Sequence, residues 1–137
     1  MLSLEKVKSE LEAFGYMYDN NILCGHTKSK VKWILPIPGM MVYSFEQFQP
    51  FFISFDSTGI SFFPLDINNK YAILGKSYLA WKDMKKFEFK KGLMEHEIKI
   101  ELSDGKIEMK IAKFKAKNEW VKENNQYLLV NDFFRKK

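Results

Sequence analysis

Cys24 and His26, in the run CGH, and His96 are the residues of this chain best suited to chemistry near neutral pH. A cysteine two residues from a histidine shares a face with it when the stretch is a strand, and a thiolate beside an imidazolium is a nucleophile. With no second cysteine and only one further histidine, the sequence favours a buried thiol beside a turn histidine. One cysteine and two histidines also fall short of the usual four-ligand zinc site unless carboxylates join them. No glycine-rich loop precedes a helix, so the common phosphate cradle is missing. The carboxylates are scattered over alternating outer faces. The expectation is a non-enzymatic chain with no catalytic residue, no metal site and no cofactor.

What remains is charge and apolar pattern. The net charge is +5, and it is unevenly placed. Residues 1–69 hold five basic and seven acidic groups (5 − 7 = −2), and residues 70–137 hold seventeen and ten (17 − 10 = +7). Only Arg135 among the 22 basic residues is arginine. Lysine is a flexible point charge without the fork that grips phosphate or guanine, so the excess reads first as a solvated surface. The stretch WKDMKKFEFKKG interleaves lysines with aromatic residues, as single-strand nucleic-acid binders do. Strand alternation, however, puts Phe87 and Phe89 opposite Lys86 and Lys90. That assigns the rings to a core and disfavours nucleic acid.

Hydrophobic residues make up 46% and charged residues 28% of 137 residues, which is ordinary globular usage and fits one domain over residues 1–137. The single cysteine excludes an internal disulfide, and no signal-peptide pattern opens the chain. The longest mostly apolar run, WILPIPGMMVYSF, is broken by Pro36, Pro38 and Gly39 and falls short of the ~20 residues of a membrane span. A soluble, cytoplasmic protein is expected.

The elements follow from periodicity. Leu4, Val7, Leu11 and Phe14, with Ser3 as N-cap and Gly15 beyond, predict an N-terminal helix within residues 1–18. HTKSKVKWIL suggests a first strand. PFFISFDSTGISFFPLD predicts a hairpin pairing Phe55 with Ile60, Ser54 with Ser61, Ile53 with Phe62 and Phe52 with Phe63, ended by Pro64. Two short apolar pieces flank Gly75, and KKFEFKKG forms a strand closed by Gly92. KIELSDGKIEMKI predicts a second hairpin with Leu102 opposite Ile107, Ile100 opposite Met109 and Ile98 opposite Ile111. That register puts like charges opposite on its outer face, Glu101 with Glu108 and Lys99 with Lys110. A helix over residues 117–131, N-capped by Asn118, should bury Trp120, Tyr127, Leu128 and either Val121 or Val130.

This order resembles bacterial pleckstrin-homology-like domains, including GRAM-like members. The likeness rests on a Trp-x-Asp-apolar stretch (Trp81, Asp83, Met84, Phe87), the hairpin after it, and the closing helix with Trp120, Tyr127 and Leu128. It covers roughly residues 22–131. It implies a mainly β, α+β fold, with a bent antiparallel barrel over 22–116 capped by the C-terminal helix, plus an extra N-terminal helix. It also implies a docking role. The phosphoinositide pocket does not carry over, because residues 36–55 contain no basic residue.

The expected function is therefore docking, with another protein as partner. The alternative is weak electrostatic binding of anionic membrane lipid or nucleic acid through the lysine-rich half. Two contact surfaces are candidates. One is the apolar loop with Ile37, Met40, Met41 and Tyr43, which either meets a partner or packs on the N-terminal helix. The other is the side bearing Lys85, Lys86, Lys90 and Lys91.

Overall fold

The computed structural model describes residues 3–16, 18–28, 49–66, 68, 72–103, 105–113 and 119–135, and the backbone alone of 31–33 and 43–45. In chain order the elements are α1 (Leu4–Ala13), β1 (Ile22–Thr27), β2 (Val31–Trp33), β3 (Tyr43–Phe45), β4 (Pro50–Phe55), β5 (Gly59–Asp66), β6 (Ala72–Ile73), β7 (Ser77–Ala80), β8 (Lys86–Lys90), β9 (Glu95–Leu102), β10 (Gly105–Ala112) and α2 (Glu119–Val130). Short 3-10 turns span Trp81–Asp83 and Asp132–Phe134. β2 and β3 form a separate antiparallel pair.

The other eight strands make one antiparallel sheet in the order β6-β5-β4-β1-β10-β9-β8, with β7 also on β5. Hydrogen bonding stops at β6 and β7 on one side and at β8 on the other. The sheet is open, and the expected closed barrel of pleckstrin-homology-like type is not formed. The reason lies in the side chains between the two ends. A ladder needs backbones about 4.8 Å apart, and rings occupy that interval. Phe55 and Trp81 stack at 6.4 Å, Trp81 and Phe87 meet edge-on at 5.2 Å, and Phe133 lies 5.2 Å from Phe55 and 5.3 Å from Phe87. Phe55 of β4 and Phe87 of β8 themselves come within 6.3 Å, so the two wings of the open sheet address one core.

That core gathers Leu23, Ile53, Phe55, Phe62, Ile98, Ile100, Met109 and Ile111 from the strands, with Leu128 and Phe133 from the C-terminal segment. A second cluster lies on the other face of β4 and β5. There Ile22, Phe52 and Phe63 pack against Val7 and Leu11 of α1 and Trp120 and Val121 of α2. The terminal helix is thus not a plug in a barrel mouth. It crosses the rim of the sheet, contributing Trp120 to one cluster and Leu128 to the other. At the crossing Asn124 Nδ2 donates to the Ile22 carbonyl (3.0 Å) where β1 begins, and Asn125 Nδ2 to the Ala112 carbonyl (2.9 Å) where β10 ends. Its buried face is Trp120, Val121, Asn124, Asn125 and Leu128, while Tyr127 and Val130 point outward. Ser3 caps α1 as expected, accepting from the Lys6 N–H at 3.2 Å. The expected Asn118 cap lies outside the described residues.

Two strand assignments change. The first strand begins at Ile22, earlier than HTKSKVKWIL suggests, because Gly25 interrupts its sequence signal. A Cβ there would lie 2.9 Å from both Ile111 Cδ1 and the Lys110 carbonyl, so the close approach of β10 requires glycine. Pro64 does not end β5. Its carbonyl accepts from the Leu74 N–H at 2.8 Å, so its missing N–H would point to the same side. On that side the edge is already interrupted: the pairing Leu65↔Ile73 slips by one residue against Phe62↔Ser77, a bulge between β6 and β7.

The β4–β5 register is the expected one throughout. The β9–β10 register is not. Ile100 pairs with Ile107, Ile98 with Met109 and Leu102 with Gly105, so that two residues separate the last pair. The inward set is unchanged, since a shift of two keeps every side chain on its face. The charges, however, now alternate: Glu101 faces Lys106, Lys99 faces Glu108 and Glu97 faces Lys110.

Candidate functional site

Cys24 and His26 share the outer face of β1. His26 Nε2 lies 2.9 Å from Glu95 Oε2, and its Nδ1 lies 3.1 Å from the Thr27 carbonyl oxygen. Among the described residues no group of three or more His, Cys, Asp or Glu could hold a metal ion, and no helix is long and apolar enough to cross a membrane.

The outer face of β8, β9, β10 and the end of β1 is a checkerboard of charge. Glu97 sits at its centre, 3.0 Å from Lys110, 3.3 Å from Lys28 and 3.6 Å from Lys99. Glu108 repeats the motif 3.5 Å from Lys28 and Lys106 and 3.8 Å from Lys99. Burial alone would raise the Glu97 carboxyl, but hydrogen bonds from Lys110 and Lys28 outweigh it and hold it below its ordinary value. The same contacts with Glu97 raise Lys28. Each of these lysines has a carboxylate within 4 Å, which offsets part of the positive charge of the face.

The four lysines singled out in the sequence do not form one patch. Lys85 precedes β8, its N–H donating to the Glu101 carbonyl at 2.8 Å, and Lys91 follows β8. Lys86 and Lys90 each stand 3.8 Å from the one carboxylate between them, Glu88. At about 3.3 Å per residue, Lys85 and Lys91 are some 20 Å apart. Only Lys90 and Lys91 lie at the β8–β9 turn.

That turn carries what the sequence reading passed over. Leu93 and Met94, consecutive in the chain, are 92% and 81% exposed, among the most exposed large apolar side chains described. Their backbone is fastened from inside. The Gly92 N–H donates to His96 Nδ1 at 3.3 Å, and Lys113 Nζ donates to the Gly92 and Leu93 carbonyls at 3.0 and 3.2 Å. Position 92 must be glycine, since a Cβ would fall 1.9 Å from the Glu95 carbonyl oxygen. His96 is buried beneath the turn, its ring 4.9 Å from that of Phe89. Burial, with Lys113 and Lys91 nearby, lowers its pKa below 6.5, which keeps Nδ1 free to accept from Gly92. Lys90 and Lys91 precede the turn in the chain and Lys113 holds its backbone, so three lysines neighbour the two exposed apolar residues. The nearest acidic group, Glu95, is drawn toward His26.

The signal was available in the sequence as GLME, two large apolar residues directly after a turn glycine and outside the alternation of either strand. Of the apolar-loop candidates, Ile37, Met40 and Met41 lie outside the described residues, and Tyr43 is described only as backbone, paired with Trp33. No family model matches this chain, and no curated protein or solved structure does.

Proposed function

We propose that this chain is a non-catalytic docking module of the cytoplasm and that its contact point is the β8–β9 turn. The observation that carries this reading is the pair Leu93 and Met94, exposed side by side on a turn held from inside through the Gly92 N–H and the Gly92 and Leu93 carbonyls. A hairpin stabilised for its own sake gains nothing from two large apolar side chains in water. Buried against a partner, each contributes about 1.5–3 kcal/mol before the cost of association, so the pair anchors a weak contact that its surroundings must reinforce. Lys90 and Lys91 frame the contact, whereas Lys85 and Lys86 belong to the far end of β8. The cytoplasmic assignment rests on the lone Cys24, a usage suited to a reducing compartment.

The test is site-specific photo-crosslinking of the full chain in cells. A photoreactive residue replacing Leu93 is expected to yield adducts, and one replacing Lys106, exposed at the opposite end of the same wing, is not. Equal adduct yields from the two positions would end the docking reading.

A further inference from the structure

Resting on that docking reading, we infer that the partner of the β8–β9 turn is an anionic bilayer surface. The size of the apolar element points there. Two side chains on a narrow turn fall far below the roughly 800 Å² per partner of a stable protein interface, and their surroundings are lysines rather than a wider apolar rim. A membrane interface asks for no matching pocket. It accepts a small apolar projection at the boundary between headgroups and acyl chains, provided that cations accompany it.

Backbone groups entering an apolar layer must be satisfied internally. Three backbone groups of the turn meet that requirement. Here the Gly92 N–H is taken by His96, and the Gly92 and Leu93 carbonyls by Lys113. The cation that closes the turn also adds its charge directly behind Leu93. Lys90 and Lys91 flank it on long stems that can keep their ammonium groups among lipid headgroups while the apolar pair goes deeper. Of the carboxylates nearby, Glu95 lies against His26, and Glu88 stands 3.8 Å from both Lys86 and Lys90, which leaves Lys91 and Lys113 as the turn's cations without that carboxylate. The turn therefore carries exposed apolar surface close to positive charge.

Co-sedimentation of the full chain with phosphatidylcholine vesicles, with and without phosphatidylserine, tests this. Binding is expected to the phosphatidylserine vesicles, with little to phosphatidylcholine alone, and to fall steeply as salt is added. L93S/M94S should weaken it at least tenfold and K90Q/K91Q about fivefold per lysine, with thermal melting unchanged because all four side chains are at the surface. K85Q/K86Q should cost clearly less. Absence of binding at low salt, full binding by L93S/M94S, or equal losses from the two lysine pairs would each overturn the inference. If crosslinks from position 93 reach a polypeptide while vesicles fail to bind, the lipid inference falls and the docking reading stands; if position 93 gives no adducts at all, both fall.

Discussion

Phe52 and Lys99 occupy comparable places, each in the middle of a long hairpin and each pointing away from the shared core. Phe52 is fully buried beneath α1 and Trp120, whereas Lys99 lies between Glu97 and Glu108 in the charge lattice. β1 marks the border between the two regimes along its outer face: Ile22 lies under the helices, Cys24 at their edge, His26 against Glu95, and Lys28 among the glutamates. The contrast shows what recruits the helices. An outer face written Phe52, Ser54, Ser61, Phe63 needs cover, and its polar members are satisfied beneath that cover, Ser54 by Tyr16 and by Asn21. An outer face written as alternating lysine and glutamate satisfies itself and stays in water.

The contrast is most severely tested at those two residues. Phe52→Ala should destabilise by about 3–5 kcal/mol, as a large aromatic removed from a closed site. Lys99→Ala should stay within about 0.5 kcal/mol, the usual effect of an exposed ion-paired residue. Urea unfolding of the two variants measures both. Trp120→Ala, on the helix side of the same cluster, should cost about 3 kcal/mol or more. If Phe52→Ala and Lys99→Ala shift the midpoint equally, the helices do not stabilise the face they cover.

A smaller loss is expected where α2 crosses from one cluster to the other. Asn124 donates to the Ile22 carbonyl and exchanges hydrogen bonds with the Tyr18 hydroxyl at 2.9–3.0 Å. Asn124→Leu fills the space but strands the carbonyl, so a loss of about 1–3 kcal/mol is expected in thermal or urea melts. A neutral result would mean that the crossing is held by its apolar flanks alone.

These residues also show why some of the fold could be read from sequence and some could not. The β4–β5 register was legible because a four-residue loop left each apolar or serine residue facing its own kind. The inward face of β9–β10 was legible because strict alternation fixes a face, but alternation is blind to a shift of two, which only the number of residues between Leu102 and Gly105 and the charge pairing decide. Asn124 and Asn125 hid the true buried stripe of α2, since a helix crossing strand ends buries polar side chains to meet free carbonyls. Closure of the sheet depends on how rings fill the gap between the β7 end, followed by Trp81, and β8, a packing question with no local signature. At the site, the lysines were visible as a run but not their separation along β8. Leu93 and Met94 were overlooked because turn residues lie outside any periodic pattern.

The lattice side of the contrast is testable by acid. Glu97 has a folded-state pKa below its ordinary value of 4.5, so its contribution is complete above about that pH and is lost as pH falls through the lower folded value. Glu97→Gln should cost up to about 1 kcal/mol at neutral pH and flatten stability against pH on the acid side. Added salt should shrink the difference between wild type and variant. A variant that keeps the full acid dependence of the wild type would remove Glu97 from the centre of the lattice.

His96, between the lattice and the exposed turn, gives the mildest effect. Its folded-state pKa is lowered below 6.5, chiefly by burial and then by Lys113 and Lys91. Above pH 6.5 both folded and unfolded chains carry it neutral, and its stabilising role is complete. As pH falls below that, the unfolded chain takes up the proton first, so stability declines until the folded value is passed and then levels off. Protonation also converts Nδ1 from acceptor to donor and breaks its bond from the Gly92 N–H, so backbone amide exchange at residues 92–94 should quicken over the same range. His96→Asn offers an amide oxygen near the place of Nδ1 without a proton to gain, and should abolish this acid step while leaving exchange at the turn slow at neutral pH. Because His26 of β1 reaches Glu95, the residue before His96, across β10, His26→Gln serves as the partner measurement; if the acid step follows that substitution instead, the latch under the turn is not His96.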